Sequence, residues 1–387
     1  MHLIKADNNF QLAGRTRPGF PIVLWDDMRS CEPINDFLRH YLLRGAIGSE
    51  KSWEPIGRAL YDYFSFLESR GISWDDVGEH DADSPVAAYR DCVENSRLAN
   101  STIRHRLIYI CKFYSYSKQR NWISKLPFWA EERRMMRSGD FLAHTGTAVQ
   151  KATTPSVMPR HQKNIVKYLS IIEIRTLLDS IKNPHHYAIV RLALQSGLRR
   201  EELASFPLAY IADIDKVATS TNNVRIHLDP EDGTGMRTKG SRKRTIFISI
   251  KLMRFLHHYA KFRRGERLSL SNTNQNPLFL NHAGEPWAAG GKGIEAMVKK
   301  AGARVGIATN PHMLRHTYAT HTLAALQSNR HDTRIEPVVF LQRQLGHTTI
   351  QTTLTYVHLI NDNADNAVLA YDDELNSWID SKKSANK

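Results

Sequence analysis

Four short clusters in the second half of the chain carry side chains suited to handling a phosphate. In Gly197-Leu198-Arg199-Arg200-Glu201-Glu202, an arginine follows a glycine at the end of an apolar helical run. Such an arginine can point into a cleft, with Glu202 one turn on to orient it. Thr238-Lys239-Gly240-Ser241-Arg242-Lys243-Arg244 sets a lysine at a turn between two strand-like runs, where it can act as a point charge or a proton donor. In Pro311-His312-Met313-Leu314-Arg315-His316, the i,i+3 spacing puts His312 and Arg315 on one helix face. Together they offer several N–H donors to phosphate oxygens. Leu345-Gly346-His347 is followed nine residues later by Tyr356, a hydroxyl at a helix end. Taken singly, each cluster is also what a solvated surface or an ordinary core would give. His312, His316 and His321 are also spaced like metal ligands. The set lacks the H-E-x-x-H glutamate and any nearby cysteine pair, so no metal is expected.

The series Arg, Lys, His-x-x-Arg, His, Tyr resembles the tyrosine recombinase, or phage integrase, family. The motifs that carry the resemblance are Gly197-Leu198-Arg199 with Glu202, Thr238-Lys239-Gly240, His312-Met313-Leu314-Arg315-His316, Leu345-Gly346-His347 and Tyr356. They cover about 165–360, and the helical pattern of 33–130 is similar to the family's core-DNA-binding domain. The resemblance implies a site-specific DNA recombinase, the integrase or transposase of a mobile element, working through a covalent 3′-phosphotyrosine. Tyr356 is then the nucleophile. Arg199 and Arg315 stabilise charge on the non-bridging oxygens, and His312 and His347 donate hydrogen bonds or shuttle protons. Lys239 protonates the 5′ leaving oxygen, and Glu202 holds the cluster in register. Neither cofactor nor ATP is implied, since the protein–DNA bond conserves the energy. Gly290-Gly291-Lys292-Gly293 is not a phosphate loop. Two alternatives stand beside this reading: a non-catalytic sequence-specific DNA-binding protein, and a tyrosine-dependent topoisomerase or resolvase. The segments near 213–223 and 327–337 are longer than the family pattern.

The composition fits a polyanionic partner. Net charge is +14, distributed as −6 over residues 1–96, +9 over 97–160, +14 over 161–360 and −3 beyond. Neutralising phosphates releases counterions, so such an excess favours a polyanion, and the family resemblance implies that this is double-stranded DNA. Arg104, Arg106 and Lys112, on the polar side of one helix, and Arg242, Lys243 and Arg244 at the turn are the expected DNA-binding residues. No apolar run approaches the ~18 residues of a membrane helix, and Met1–Arg17 has no apolar signal core, so a cytoplasmic, nucleoid-associated protein without membrane contact is expected. Cys31, Cys92 and Cys111 read as reduced thiols.

Positioning these residues requires helices. Ile34, Phe37, Leu38, Tyr41 and Leu42 form one apolar stripe, with Pro33 near a helix start. Ile56, Leu60, Tyr63, Phe64 and Leu67 form a second; Ile103, Leu107, Ile110, Cys111 and Tyr114 form a third behind a Ser101 cap. Ser170 with Glu173 reads as a capping box. Val224–Leu228 and Thr245–Ile248 read as short strands. The expected class is mainly α with a small β-sheet (α+β): an irregular arm at 1–30, a helical core-DNA-binding domain at 31–137, a linker at 138–164, a catalytic domain at 165–360, and a tail helix at 361–387, for which exchange between protomers stands beside docking on its own domain. By resemblance the two domains clamp DNA and four protomers form a synapse, with an accessory directionality factor as a candidate partner.

Overall fold

The computed structural model describes residues 1–44, 47, 49–77, 84–96, 98–134, 151–160, 166–214, 223–271, 273–328 and 336–361; for 132–134, 151–152 and 358–361 it describes the backbone alone. The expectations for the 361–387 tail lie outside these residues, as do most of those for the 138–164, 213–223 and 327–337 segments. The chain divides into two compact units, 1–164 and 165–387.

The first unit opens with strands, which corrects the expected irregular arm. β1 (His2–Lys5) pairs antiparallel with β4 (Pro21–Leu24), and β2 (Gln11–Leu12) pairs with β3 (Arg15–Thr16) between them. Pro18, Gly19 and Pro21 mark a turn rather than the absence of structure. Pro21 is the first residue of its strand, a position that proline tolerates. Phe20 and Val23 are buried, and a Cβ on Gly57 would stand 2.5 Å from Pro21. The ribbon therefore lies directly on a helix.

That helix is α2 (Trp53–Ser69), which follows α1 (Glu32–Leu43) and precedes α3 (Pro85–Glu94) and α4 (Asn100–Gln119). All three apolar stripes read from the sequence are buried in one core. At ~1.5–3 kcal/mol for each large side chain, this burial holds the unit together. α4 begins one residue before Ser101, after Ala99, and has no side-chain cap. β5 (Ala130–Arg134) pairs with β6 (Lys151–Pro155), and Val157 and Met158 are buried in the same core. Residues 151–158 thus belong to the first unit instead of a linker, because their apolar side chains complete its core.

In the second unit the Ser170–Glu173 capping box is present at the start of α5 (Ile171–Ser180). α6 (Pro184–Ser196) is capped by the Asn183 side chain and ends at Gly197 in the left-handed region. There follow α7 (Arg200–Ala204), the antiparallel pair β7 (Asn223–Leu228) and β8 (Arg244–Ser249), α8 (Ile250–Phe262), α9 (Arg264–Leu268) and α10 (Lys292–Ala303). α11 (Pro311–Ser328) packs against α6, α10, α12 (Pro337–Leu345) and α13 (Ile350–Asn361). Ala319, Leu323, Leu341, Leu345 and Tyr356 form a small core of their own between the last three. Among the described residues no helix is long and apolar enough to cross a membrane.

Candidate active site

The site is organised by the C-terminal end of α12. The last carbonyls of a helix have no intrahelical donor and carry partial negative charge. Here they accept from three arginines. Arg315 Nη2 donates to Leu345 O at 2.6 Å, Arg199 Nη2 to Gly346 O at 2.9 Å, and Arg244 Nε to Gln344 O at 3.3 Å. Arg315 Nη1 also donates to Gly197 O, at 2.6 Å. Gly346 ends α12 with φ +66°, and a Cβ there would meet Arg244 Cδ at 2.7 Å. The helix itself is pinned to β8 by Gln344, whose side-chain amide accepts from Phe247 N and donates to Phe247 O.

Beneath the arginines lies Glu202, 0% exposed. It accepts from the Arg199 backbone N–H at 2.7 Å and from Arg199 Nη1 at 3.2 Å. It also takes both terminal nitrogens of Arg244, at 2.6 and 2.7 Å. Burial alone would raise this carboxyl, but the Arg244 hydrogen bonds and the charges of Arg244 and Arg199 pull it down to about 2. One carboxylate faces three guanidinium groups, so the cluster keeps a positive excess suited to an anion. Burial, with Arg199 next to it, brings Arg315 down to about 9, still charged at neutral pH.

Three histidines and the tyrosine complete the site. His312 and His316 stand one turn apart on α11, with ring centroids 4.1 Å apart. His316 Nδ1 lies 2.7 Å from Tyr356 Oη. His347 Nδ1 pairs with Thr353 Oγ1 at 2.9 Å, and its ring lies nearly parallel to Tyr356 at 6.2 Å. Burial and then neighbouring positive groups lower His316 to about 4 and His347 to about 3. His312 is lowered by burial, then by Arg315, Arg199 and Lys239. All three rings are therefore neutral at pH 7. Tyr356 is 2% exposed; its burial raises the phenol, against the pull of Arg315 and Arg199. Lys239 sits on an exposed turn at Gly240, φ +69°, near enough for its charge to act on His312. A cleft of about 680 Å³ opens beside the cluster, lined by Arg225, Arg244, Phe247, Val339, Arg343 and His347 among others.

The model of the phage integrase family matches residues 167–362, half of the chain.

The chain belongs to the phage integrase family.

As a family member it is 30% identical over 212 residues to the tyrosine recombinase XerA of Saccharolobus solfataricus, covering 55% of this chain and 59% of that protein. It is 28% identical over 240 residues to transposase A from transposon Tn554 of Staphylococcus aureus, covering 58% of each. The chain thus spans under two-thirds of the length of these two relatives. The match to the tyrosine recombinase XerD of Rhizobium meliloti is weaker, 24%, but covers 84% of this chain and 89% of that one. In fold, this integrase-family chain is similar to the Tn1549 transposon integrase in complex with transposon right end DNA. That likeness has a TM-score of 0.56 at 18% identity, over 84% of this chain and 93% of that one.

The structure brings together Arg199, Glu202, His312, Arg315, His347 and Tyr356, with Lys239 at the rim. It corrects the expected DNA-binding role of Arg244, whose guanidinium is nearly buried and committed to Glu202 and Gln344 O. Lys243 is exposed but paired with Asp229 and Glu231; Arg242 is exposed. In the first unit Arg106 is ion-paired with half-buried Asp62 at 2.6 Å, so its charge is already compensated. Arg104 donates to Pro159 O, and Lys112 to Tyr41 Oη while lying over the Tyr41 ring. His321 bonds Leu169 O, away from His316. Sequence reasoning missed His316 as a partner of Tyr356. Its i,i+4 spacing from His312 was the available signal, and it was weighed only as a metal ligand.

Proposed function

We propose that this protein is a site-specific DNA recombinase that cuts one strand by attack of Tyr356 on a phosphodiester, leaving a 3′-phosphotyrosine and a free 5′-hydroxyl, and then rejoins the strand to a new partner. The observation that carries the reading is a tyrosine hydroxyl held beside a buried, arginine-rich, carboxylate-buttressed cluster. A phosphodiester repels nucleophiles, and its pentacoordinate transition state gathers charge on the non-bridging oxygens. Fixed guanidinium groups aimed there need no reorganisation, and one such donor contributes ~10²–10³ in rate. Arg199 and Arg315 take that role, since carbonyls and Glu202 fix both planes while further N–H groups of each fork are left for the phosphate. His312 and His347 supply neutral N–H donors, and Lys239 at the rim gives a proton to the departing 5′ oxygen. Glu202 and Arg244 position Arg199.

The substrate is double-stranded DNA, in keeping with the net charge of +14. Relatives that the chain resembles are named tyrosine recombinases and a transposase. Residues 31–137 act as the core-DNA-binding domain, 165–360 as the catalytic domain, and four copies assemble on paired sites, as the family resemblance implies. The test uses the full chain, excess chelator and a pool of nicked duplexes with a randomised centre. Strands should become protein-linked at the 3′ end and then join a second duplex. Relaxation of supercoils without strand exchange would favour a topoisomerase, and binding without linkage a non-catalytic DNA-binding protein.

A further inference from the structure

Two histidine rings, His316 and His347, lie against the tyrosine, and His312 lies against His316; their geometry separates their roles. His347 turns its ring face to Tyr356 and commits Nδ1 to Thr353, so it offers the phenol no lone pair from that atom. His312 is exposed on the side where Lys239 acts on it. His316 alone, among the described residues, has a ring nitrogen within hydrogen-bond distance of Tyr356 Oη, at 2.7 Å. The bond lies beside a small core formed by Ala319, Leu323, Leu341 and Leu345, which screens it from water.

We propose that His316 is a catalytic residue, the base that accepts the Tyr356 phenolic proton during strand cleavage and returns it during religation. The proposal rests on the recombinase reading and assigns a step within it. In cleavage the Oη–H bond breaks and its proton passes to His316 Nδ1. The Oη–P bond forms, the P–O5′ bond breaks, and O5′ takes a proton from Lys239. Religation reverses each transfer, so no oxidant or co-reactant is required.

The groups around this base are mostly positive or neutral nitrogen groups. The groups facing His316 are His312 and Arg315 on its own helix, Tyr356 on α13 and His347 beyond the end of α12. Burial and the first two hold it neutral, with Nδ1 turned to the phenol. A phosphate seated on Arg315 and Arg199 cancels the Arg315 charge. The imidazolium is thereby favoured as negative charge builds up in the transition state.

His316→Asn tests this, because the amide oxygen can stand where Nδ1 stands and keep the hydrogen bond but cannot take a proton. The probe is a nicked duplex recovered from the randomised pool by covalent capture on the wild-type chain. Affinity should stay within about twofold, while covalent linkage at pH 7 falls ~10²-fold, within the range of a general base. The loss should shrink at high pH, since the variant's rate rises about tenfold per pH unit with the phenolate fraction. A rate within threefold of wild type at pH 7, or a loss of equal size at every pH, would overturn the proposal. A second measurement needs no change at His316. The 15N shifts of His316 in the unsubstituted chain should report an unprotonated Nδ1 that changes in Tyr356→Phe. A protonated Nδ1 would overturn the proposal. A wild-type chain that captures no duplex would instead contradict the recombinase reading itself.

Discussion

Glu202 would be protonated by its burial alone; four hydrogen bonds from Arg199 and Arg244 keep it ionised instead. Its folded value of about 2 lies below the ordinary 4.5, so its contribution to stability is complete above about pH 4.5 and is lost as pH falls towards 2. The lost contribution is about 3 kcal/mol. Glu202→Gln should therefore flatten the unfolding midpoint between pH 5 and 2, measured by denaturant titration; an unchanged slope there would contradict the pairing. His316 and His347, also held low, add a separate loss that begins below about pH 6.5, which the substitution should leave in place. Arg315→Lys keeps the charge but cannot reach both Gly197 O and Leu345 O. Strand cleavage should fall ~10²–10³-fold, while binding, measured by gel shift, changes little. The residue types and order of this site were legible in the sequence, because each motif is local. The His316–Tyr356 and Arg244–Glu202 bonds were not, because they join positions 40 and 42 apart that meet only after folding.

At the scale of elements, the seat of the site is the end of α12. Gly346→Ala adds a Cβ at 2.7 Å from Arg244 and at a φ of +66°, a strain of about 1–3 kcal/mol. It should displace Arg244 and so loosen Glu202 and Arg199. The expected result is at least ~10-fold slower cleavage with DNA affinity retained, read in a single-turnover assay; wild-type cleavage would show that α12 does not set the cluster. The basic residues divide in a similar way. Arg106, paired with Asp62, should act on the stability of the first unit, whereas exposed Arg242 should act on binding. Arg242→Ala should reduce the slope of log K against log salt by ~0.9, and Arg106→Ala should lower the unfolding midpoint instead. The opposite pattern would restore Arg106 as a phosphate contact. Apolar periodicity made α1, α2, α4 and the β7–β8 pair legible. The N-terminal strands were hidden because Pro18, Gly19 and Pro21 signal turns, and only burial of Phe20 and Val23 against α2 decides what flanks those turns.

At the scale of the molecule, the chain forms two compact units with separate cores. The charge pattern was legible as a preference for a polyanion, but charge does not distinguish binding from chemistry. The distinction rests on one oxygen atom. In the proposed reaction Tyr356 is the group whose hydroxyl becomes a phosphodiester, and removing only that oxygen leaves the arginine cluster and the basic surfaces intact. The most direct measurement is therefore mass spectrometry of the peptide that carries the DNA. The wild-type chain is incubated with nicked duplex, denatured, and digested with protease and nuclease. A nucleotide adduct on Tyr356 is expected, and Tyr356→Phe should bind the duplex within about twofold while forming no adduct. An adduct on another residue, or linkage that survives in the phenylalanine variant, would contradict the account.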